Sequence, residues 1–292
     1  MSHNKHVEDG FNVDVGMMQP DEAKNYYLDL AGDWEDPNPE PRIVMHEGIR
    51  VVRDDDLVGS KVRGGDCLMS SIKEDTIVYV QPRTGLAGLS ILDVAKRHNK
   101  SVKLFMPSSK IISHHQACCI ERGAETSFHR IAAMPNLNLI AKKWASENSN
   151  TFFIPLGLKH KLVTAGMVKV ASKIKEPDVV YVATSTGVLT RSLQIAWPNA
   201  EFVSVAVSRN MKAGELGRAQ VISAPEPFTK GCKPEDLPPF PCIDTYDGKV
   251  WRYIPKYSGK DILFWNVGAQ PVLHDETLYD RTDSYRKWDK DL

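Results

Sequence analysis

Along the middle of the chain, apolar and polar positions change period in regular blocks. Short strand-like runs stand at 77–80, 102–106 and 125–129, separated by amphipathic stretches over 86–98 and 113–122. A second series follows, with strand-like runs at 151–154, 179–183 and 202–207 and helical stretches over 165–174 and 188–196. Alternation of short apolar runs with helical periods predicts parallel sheets joined by crossover helices, and the two series predict two α/β lobes. Two further strands are expected, one over 49–52 and one opening the segment 261–271, which runs into a glycine turn.

Outside these blocks the pattern weakens. Residues 1–44 are polar and rich in Pro, Asp and Glu, ending in Trp34-Glu-Asp-Pro-Asn-Pro-Glu-Pro-Arg. They predict an irregular N-terminal arm that wraps a body or a partner subunit. Residues 276–292 read as a polar, solvated tail. The Pro-rich stretch 224–241 is long for a simple connection, which marks it as functional or mobile.

Composition narrows the class. A chain of 292 residues that is 42% hydrophobic can bury a sizeable core. Lys plus Arg equals Asp plus Glu at 37 each, so no global field draws it to nucleic acid or to an anionic membrane. Five irregularly spaced cysteines and an N-terminus without an apolar signal core predict a reducing, cytoplasmic setting. No apolar run approaches the roughly 20 residues of a membrane span.

Several segments carry candidate chemistry. Lys61 follows a Gly-Ser turn at the mouth of an expected helix, in Gly59-Ser-Lys-Val-Arg63. The turn Thr184-Ser-Thr-Gly-Val188 links a buried strand to a helix, where backbone N–H groups and hydroxyls can hold phosphate, or where a Ser/Thr-rich sequence simply caps the helix. Gln81-Pro-Arg-Thr-Gly-Leu-Ala-Gly88 also joins a strand to a helix, with glycines that permit either a ligand or tight packing. Asp244-Thr-Tyr-Asp-Gly-Lys249 places Asp247 before a glycine, which also suits a plain turn. His114, His115, Cys118 and Cys119 share helical spacing, yet one such pair cannot complete a tetrahedral site, and no metal is expected.

The order of these segments, from Gly-Ser-Lys61-Val-Arg to Phe264-Trp-Asn-Val-Gly268, resembles the tryptophan-synthase-β-like (fold type II) enzymes dependent on pyridoxal 5'-phosphate (PLP). Within them it is most similar to the aminocyclopropane-carboxylate deaminase and D-cysteine desulfhydrase branch, whose lysine sits in Gly-Asn-Lys-x-Arg. The resemblance spans about residues 45–272. It implies a large cofactor-binding lobe from 45–75 and 151–275 and a smaller α/β lobe over 76–150.

The resemblance further implies residue roles. Lys61 would hold PLP as a Schiff base and move the substrate's α proton; Thr184, Ser185, Thr186, Gly187 and Val188 would cradle the phosphate; Asp247 would face the pyridine nitrogen and keep the ring a strong electron sink. Arg83, Thr84, Gly85, Leu86, His160 and Tyr246 are the candidate substrate contacts. The sequence also departs from the family: Leu86 stands where an asparagine is expected, threonines 184 and 186 where glycine is common, and Asn266-Val-Gly-Ala where His-x-Gly-Gly is frequent.

The expected function is a PLP-dependent lyase-like enzyme, a deaminase or decarboxylase, breaking a bond at Cα of a small amino acid. The family resemblance also implies a homodimer. Two alternatives stand beside it: a phage-type enzyme tailoring an amino acid attached to a nucleobase of DNA, for which the net charge gives no support, and a non-catalytic binding module of the same fold.

Overall fold

A computed structural model of the chain describes residues 5–8, 11–14, 19–130, 133–208, 211 and 216–280. The chain divides into two compact units, Met1–Leu68 with Lys159–Gln270, and Met69–Leu158 with Pro271–Leu292.

The first unit is built on a six-stranded sheet. Its strands are β3 (Ile43–His46), β4 (Ile49–Arg53), β9 (Val179–Thr184), β10 (Glu201–Ala206), β11 (Gln220–Ser223) and β12 (Ile262–Asn266), in the order β11-β10-β9-β12-β4-β3. Every pairing is parallel except β3 with β4. Because side chains alternate across a strand, β12 sends Leu263 and Trp265 into one core and Ile262 and Phe264 into the other. The first core is covered by α1 (Pro20–Ala31), α6 (Lys161–Ser172) and α7 (Val188–Ala196).

Among the described residues no long helix covers the opposite face. Phe240, Val250, Trp251 and Ile254 cover it, with Phe228 packed alongside. The Pro-rich stretch therefore contributes to this layer, through Phe240 with Ala224 and Phe228. Its polar groups are tied down: Arg252 makes a two-pronged pair with Glu226, each contact at 2.7 Å, and buried Lys249 donates to Pro227 O at 3.0 Å. The Arg252 guanidinium holds the Glu226 carboxyl down at about 2.

The second unit carries a four-stranded parallel sheet, β7-β6-β5-β8, from β5 (Thr76–Val80), β6 (Ser101–Pro107), β7 (Glu125–His129) and β8 (Thr151–Ile154). Its helices are α3 (Ala87–Arg97), α4 (His114–Glu121) and α5 (Met134–Glu147). Leu137, Ala141 and Ala145 of α5, spaced by one helical turn, meet Val78, Val80 and Phe105.

The expected irregular arm is corrected by the structure. A hairpin pairs β1 (Lys5–Glu8) with β2 (Phe11–Asp14), and α1 follows. Pro20 starts that helix at a position where its missing N–H costs nothing, Gln19 and Glu22 form a capping box, and Ala23, Tyr27 and Ala31 form its buried stripe. The remaining residues of the arm, 1–4, 9–10 and 15–18, lie outside the described residues. The expected solvated tail is also corrected where it begins: Glu276–Asp280 is a 3-10 turn with Leu278 buried and the Tyr279 hydroxyl bonded to His114 Nδ1. The rest of the tail, 281–292, lies outside the described residues.

Helix α2 (Lys61–Met69) packs on α6 through glycines. A Cβ on Gly64 would lie 2.3 Å from Val163 O, and one on Gly166 would lie 3.0 Å from Gly64 Cα. The partner at Gly64 is backbone and cannot swing aside. Gly64→Ala is expected to destabilise the chain by about 1–3 kcal/mol, the usual cost of overpacking, read as a lower urea midpoint at unchanged slope. An unchanged midpoint would mean that the two helices do not meet this closely.

Candidate active site

Lys61 is placed by the strand beside its own. After β4 the chain makes a 3-10 turn over Asp54–Asp56 and reaches α2 through Leu57-Val-Gly-Ser60. Gly59 has φ of +87°, where a side chain would be strained. Ser60 N–H then donates to Val267 O at 2.8 Å, fixing the turn to the end of β12. Lys61 is half-buried, and burial pushes its pKa below the ordinary lysine value against the opposing charge of Asp247. Among the described residues no hydrogen bond engages its Nζ.

Asp247 opens a 3-10 turn over Asp247–Lys249 and is fully buried. Both carboxylate oxygens lack a hydrogen-bond partner among the described residues. Burial raises its pKa well above the usual carboxylate range; the Val267 backbone N–H, which faces it without closing a standard hydrogen bond, and the Lys61 charge oppose the shift, while Asp55 and Asp54 add to it. Val267 thus turns its carbonyl to the lysine's turn and its N–H to the buried acid.

The hydroxyl-rich turn leaves β9 and enters α7. Gly187, the N-cap, has φ of +82°, and a Cβ there would lie 2.7 Å from Leu216 Cδ2. No side chain caps this helix, and among the described residues no hydrogen bond engages the hydroxyls of Ser185 or Thr186. Thr184 is different: it ends β9, is buried, and its hydroxyl accepts from Thr190, which in turn accepts from Ser204. Tyr246 ties this turn to the acid next to it in sequence, donating to Ala183 O at 3.4 Å and facing the Ser185 N–H. Its phenol is raised above the usual range by burial.

No family model matches the sequence, and no curated protein matches it. Solved structures do. An ACC deaminase homologue matches at TM-score 0.67 and 18% identity, covering 86% of this chain and 95% of its own. The processed form of threonine deaminase isoform 2 from Solanum lycopersicum matches at 0.62 and 12% identity, covering 91% and 93%. A pyridoxal 5'-phosphate-dependent aspartate racemase matches at 0.56 and 13% identity, covering 85% and 96%. The chain has the fold type II architecture.

Within that architecture the remaining candidates separate. His160 is the N-cap of α6, its Nδ1 accepting from Leu162 N–H at 3.2 Å, which gives it a structural task. Arg83, Thr84, Gly85 and Leu86 belong to the second unit. Arg83 is exposed, reaching Ile111 O at 3.4 Å, whereas Leu86 is buried at the start of α3. Buried Gln81 organises this fold type II segment: its Nε2 donates to Pro82 O and Gly85 O at 2.9 and 3.0 Å, and its Oε1 accepts from Gly88 N–H at 2.8 Å.

The candidate metal pair is otherwise occupied. The His114 ring nitrogens bond the Tyr279 hydroxyl and Pro271 O, and Cys118 Sγ lies 3.7 Å from Nε2. Among the described residues no cluster of three or more His, Cys, Asp or Glu could hold a metal ion.

Sequence reasoning missed the groups beneath the lysine. Arg63, 2% exposed, pairs with Asp54 at 2.7 Å and with Asp36 at 2.6 Å. Asp55 is held by Arg53 and by Asn266 Nδ2 at 3.0 Å; burial works against its charge, but the Arg53 guanidinium and the Asn266 amide hold its pKa below the usual range. Nothing in the run Arg53-Asp-Asp-Asp56 marks which acids are buried, and only Trp265, next to the end of β12, hints at a buried donor.

The raised Asp247 pKa fixes the sign of a pH effect. The folded site prefers the protonated acid, so its contribution to stability is complete below the unfolded value of about 3.8 and is lost as pH rises through the folded value. Asp247→Asn removes that loss. In cofactor-free protein, the stability of Asp247→Asn relative to wild type is expected to grow as pH rises from 4.5 to 8, measured by urea unfolding. A constant difference across that range would show that Asp247 titrates normally.

Proposed function

We propose that the chain is a PLP-dependent enzyme that breaks a bond at Cα of an amino-acid-like substrate. The observation that carries this reading is the presence, in one unit, of a lysine whose charge burial disfavours and a buried carboxylate that lacks a hydrogen-bond partner among the described residues. The residues present fit the cofactor. Asp247 offers an acceptor to a protonated pyridine nitrogen, Lys61 an amine to the aldehyde, and the turn Ser185-Thr-Gly-Val188 uncapped amides and two hydroxyls to the phosphate. PLP would supply an electron sink for the carbanion left when a bond at Cα breaks.

The chain's own residues would do the rest. Lys61 Nζ is held toward its neutral form, the form that can attack a carbonyl and accept the α proton. A charged Asp247 would stabilise a proton on the pyridine nitrogen, and that opposite charge would offset the desolvation that now raises its pKa. Tyr246, bonded to Ala183 O beside the phosphate turn, would fix the turn relative to the acid. The racemase and the deaminases among the structural neighbours act on amino acids by their descriptions, which supports this substrate class.

Borohydride reduction of the purified protein with added PLP is expected to leave a stable adduct on the Lys61 peptide. Lys61→Ala should lose both the adduct and the visible absorbance. No adduct on wild-type Lys61 would sink this reading in favour of a non-catalytic module of the same fold.

A further inference from the structure

The lysine's turn is stapled to β12 at more than one point, and the centre of the staple is an indole. Trp265 is fully buried. Its Nε1–H is shared between Ser60 Oγ at 2.9 Å and Asp54 Oδ2 at 3.0 Å. Asp54 is itself fully buried and takes Arg63 Nη2 at 2.7 Å on its other oxygen. Ser60 N–H is held by Val267 O, two residues beyond the tryptophan, and Ser60 O accepts Arg63 N–H at 3.2 Å. Two ends of the turn, Asp54 and Ser60, therefore converge on one donor, with Lys61 the next residue along.

We infer that Trp265 is a positioning residue for Lys61. Its indole N–H closes the turn Asp54–Ser60 against the end of β12 and keeps the lysine amine in its half-buried setting. This deepens the PLP reading and rests on it for its functional meaning, although the geometry is independent of any cofactor. An ordinary hydrogen bond would make the indole one stabilising contact among many. A shared donor to a serine and a buried carboxylate is different: without it, Asp54 Oδ2 keeps the longer contact from Arg63 Nε at 3.3 Å and Ser60 Oγ keeps its own donation to Val267 O at 3.4 Å, but the shortest contact at each end of the turn is lost at once, which loosens the turn.

The alternative is that Trp265 only fills the core, and a neighbouring indole isolates that role. Trp197 lies with its ring centroid 6.2 Å from that of Trp265, is also buried, and gives its Nε1–H to Ile174 O at 3.3 Å, remote in sequence from the lysine's turn. Trp197→Phe removes an indole of the same size from the same core without touching the staple.

The experiment is pulse acylation of intact protein with acetic anhydride across pH 6–11, without PLP, reading Lys61 occupancy by peptide mass spectrometry. Trp265→Phe and Ser60→Ala are each expected to raise the midpoint for Lys61 toward that of an ordinary lysine. The unprotonated fraction at pH 8 would then fall about three- to tenfold, which is half to one pKa unit. Trp197→Phe is expected to lower thermal stability and leave the Lys61 profile on the wild-type curve. Coincidence of the Trp265→Phe and Ser60→Ala profiles with wild type would overturn the proposal, as would an equal shift in Trp197→Phe. Should Trp265→Phe not fold, Ser60→Ala decides alone.

The same samples, treated with PLP and borohydride, keep the two readings apart. An unadducted wild type alongside shifted variant profiles would defeat the PLP reading and leave the positioning role. An adducted wild type with unshifted variants would do the reverse.

Discussion

Burying a carboxylate without a partner costs on the order of several kcal/mol unless the group is neutralised or paired, and the first unit is arranged around such a carboxylate. Asp247 sits on the layer that covers one face of the six-stranded sheet, a layer made of loop rather than helix. A loop can hold a strained group only if it is itself rigid. Here Arg252 grips Glu226, Lys249 reaches Pro227 O, and Phe240 and Trp251 pack on Phe264, so the segment bearing the acid has the fixity of a secondary-structure element. Perturbed titratable groups of this kind gather at functional sites, where the cost is tolerated for what the group does.

The end of β12 supplies the second half of the constraint. Trp265, Asn266 and Val267 meet, in that order, Asp54 with Ser60, Asp55, and Ser60 again. One strand end thus sets the position of the lysine's turn and also faces the acid through the Val267 N–H. A turn bonded to a rigid strand end keeps its place beside the acid better than a turn on an independent loop would. Low polarity around both also shifts each toward its neutral form, so a ligand bearing the complementary charges would gain more here than at a solvated site.

Most of the sheet framework was legible in the sequence, because period-two runs and amphipathic stretches are direct consequences of burial. β7 and β8 fall at the residues the pattern marks, and β5, β6 and β9 differ only at their ends, but β8 was expected in the lobe of 151–275 and instead pairs with β5 in the second unit, because a strand run does not carry its own choice of neighbour. Helix α1 was not legible: proline, acidic residues and a sparse stripe of Ala23, Tyr27 and Ala31 disguise it as an arm. Helix α5 was missed because its buried stripe, Leu137, Ala141 and Ala145, is narrow and mostly small. At the site, Lys61 was legible only through the order of several loose motifs. The burial of Asp247 was not, since an aspartate before glycine has the sequence of any turn, and the layer that encloses it is made by residues distant along the chain, such as Phe240.

The departures from the family pattern fall unevenly. Thr184, standing where glycine is common, has its side chain absorbed into a hydroxyl chain with Thr190 and Ser204 inside the core, so it changes the interior of the unit more than the face of the turn. Leu86, standing where an asparagine is expected, is buried at the head of α3 in the other unit, and the loop before it is held from within by Gln81. Under the proposed reading, the groups that would engage the cofactor lie in the unit where the substitution is absorbed. Under the same reading, the segment expected to engage the substrate is the one in which Leu86 stands where an asparagine is expected. A site with an apolar residue in place of an amide discriminates by shape more than by hydrogen bonding, so the reaction class and the substrate need not be inherited together.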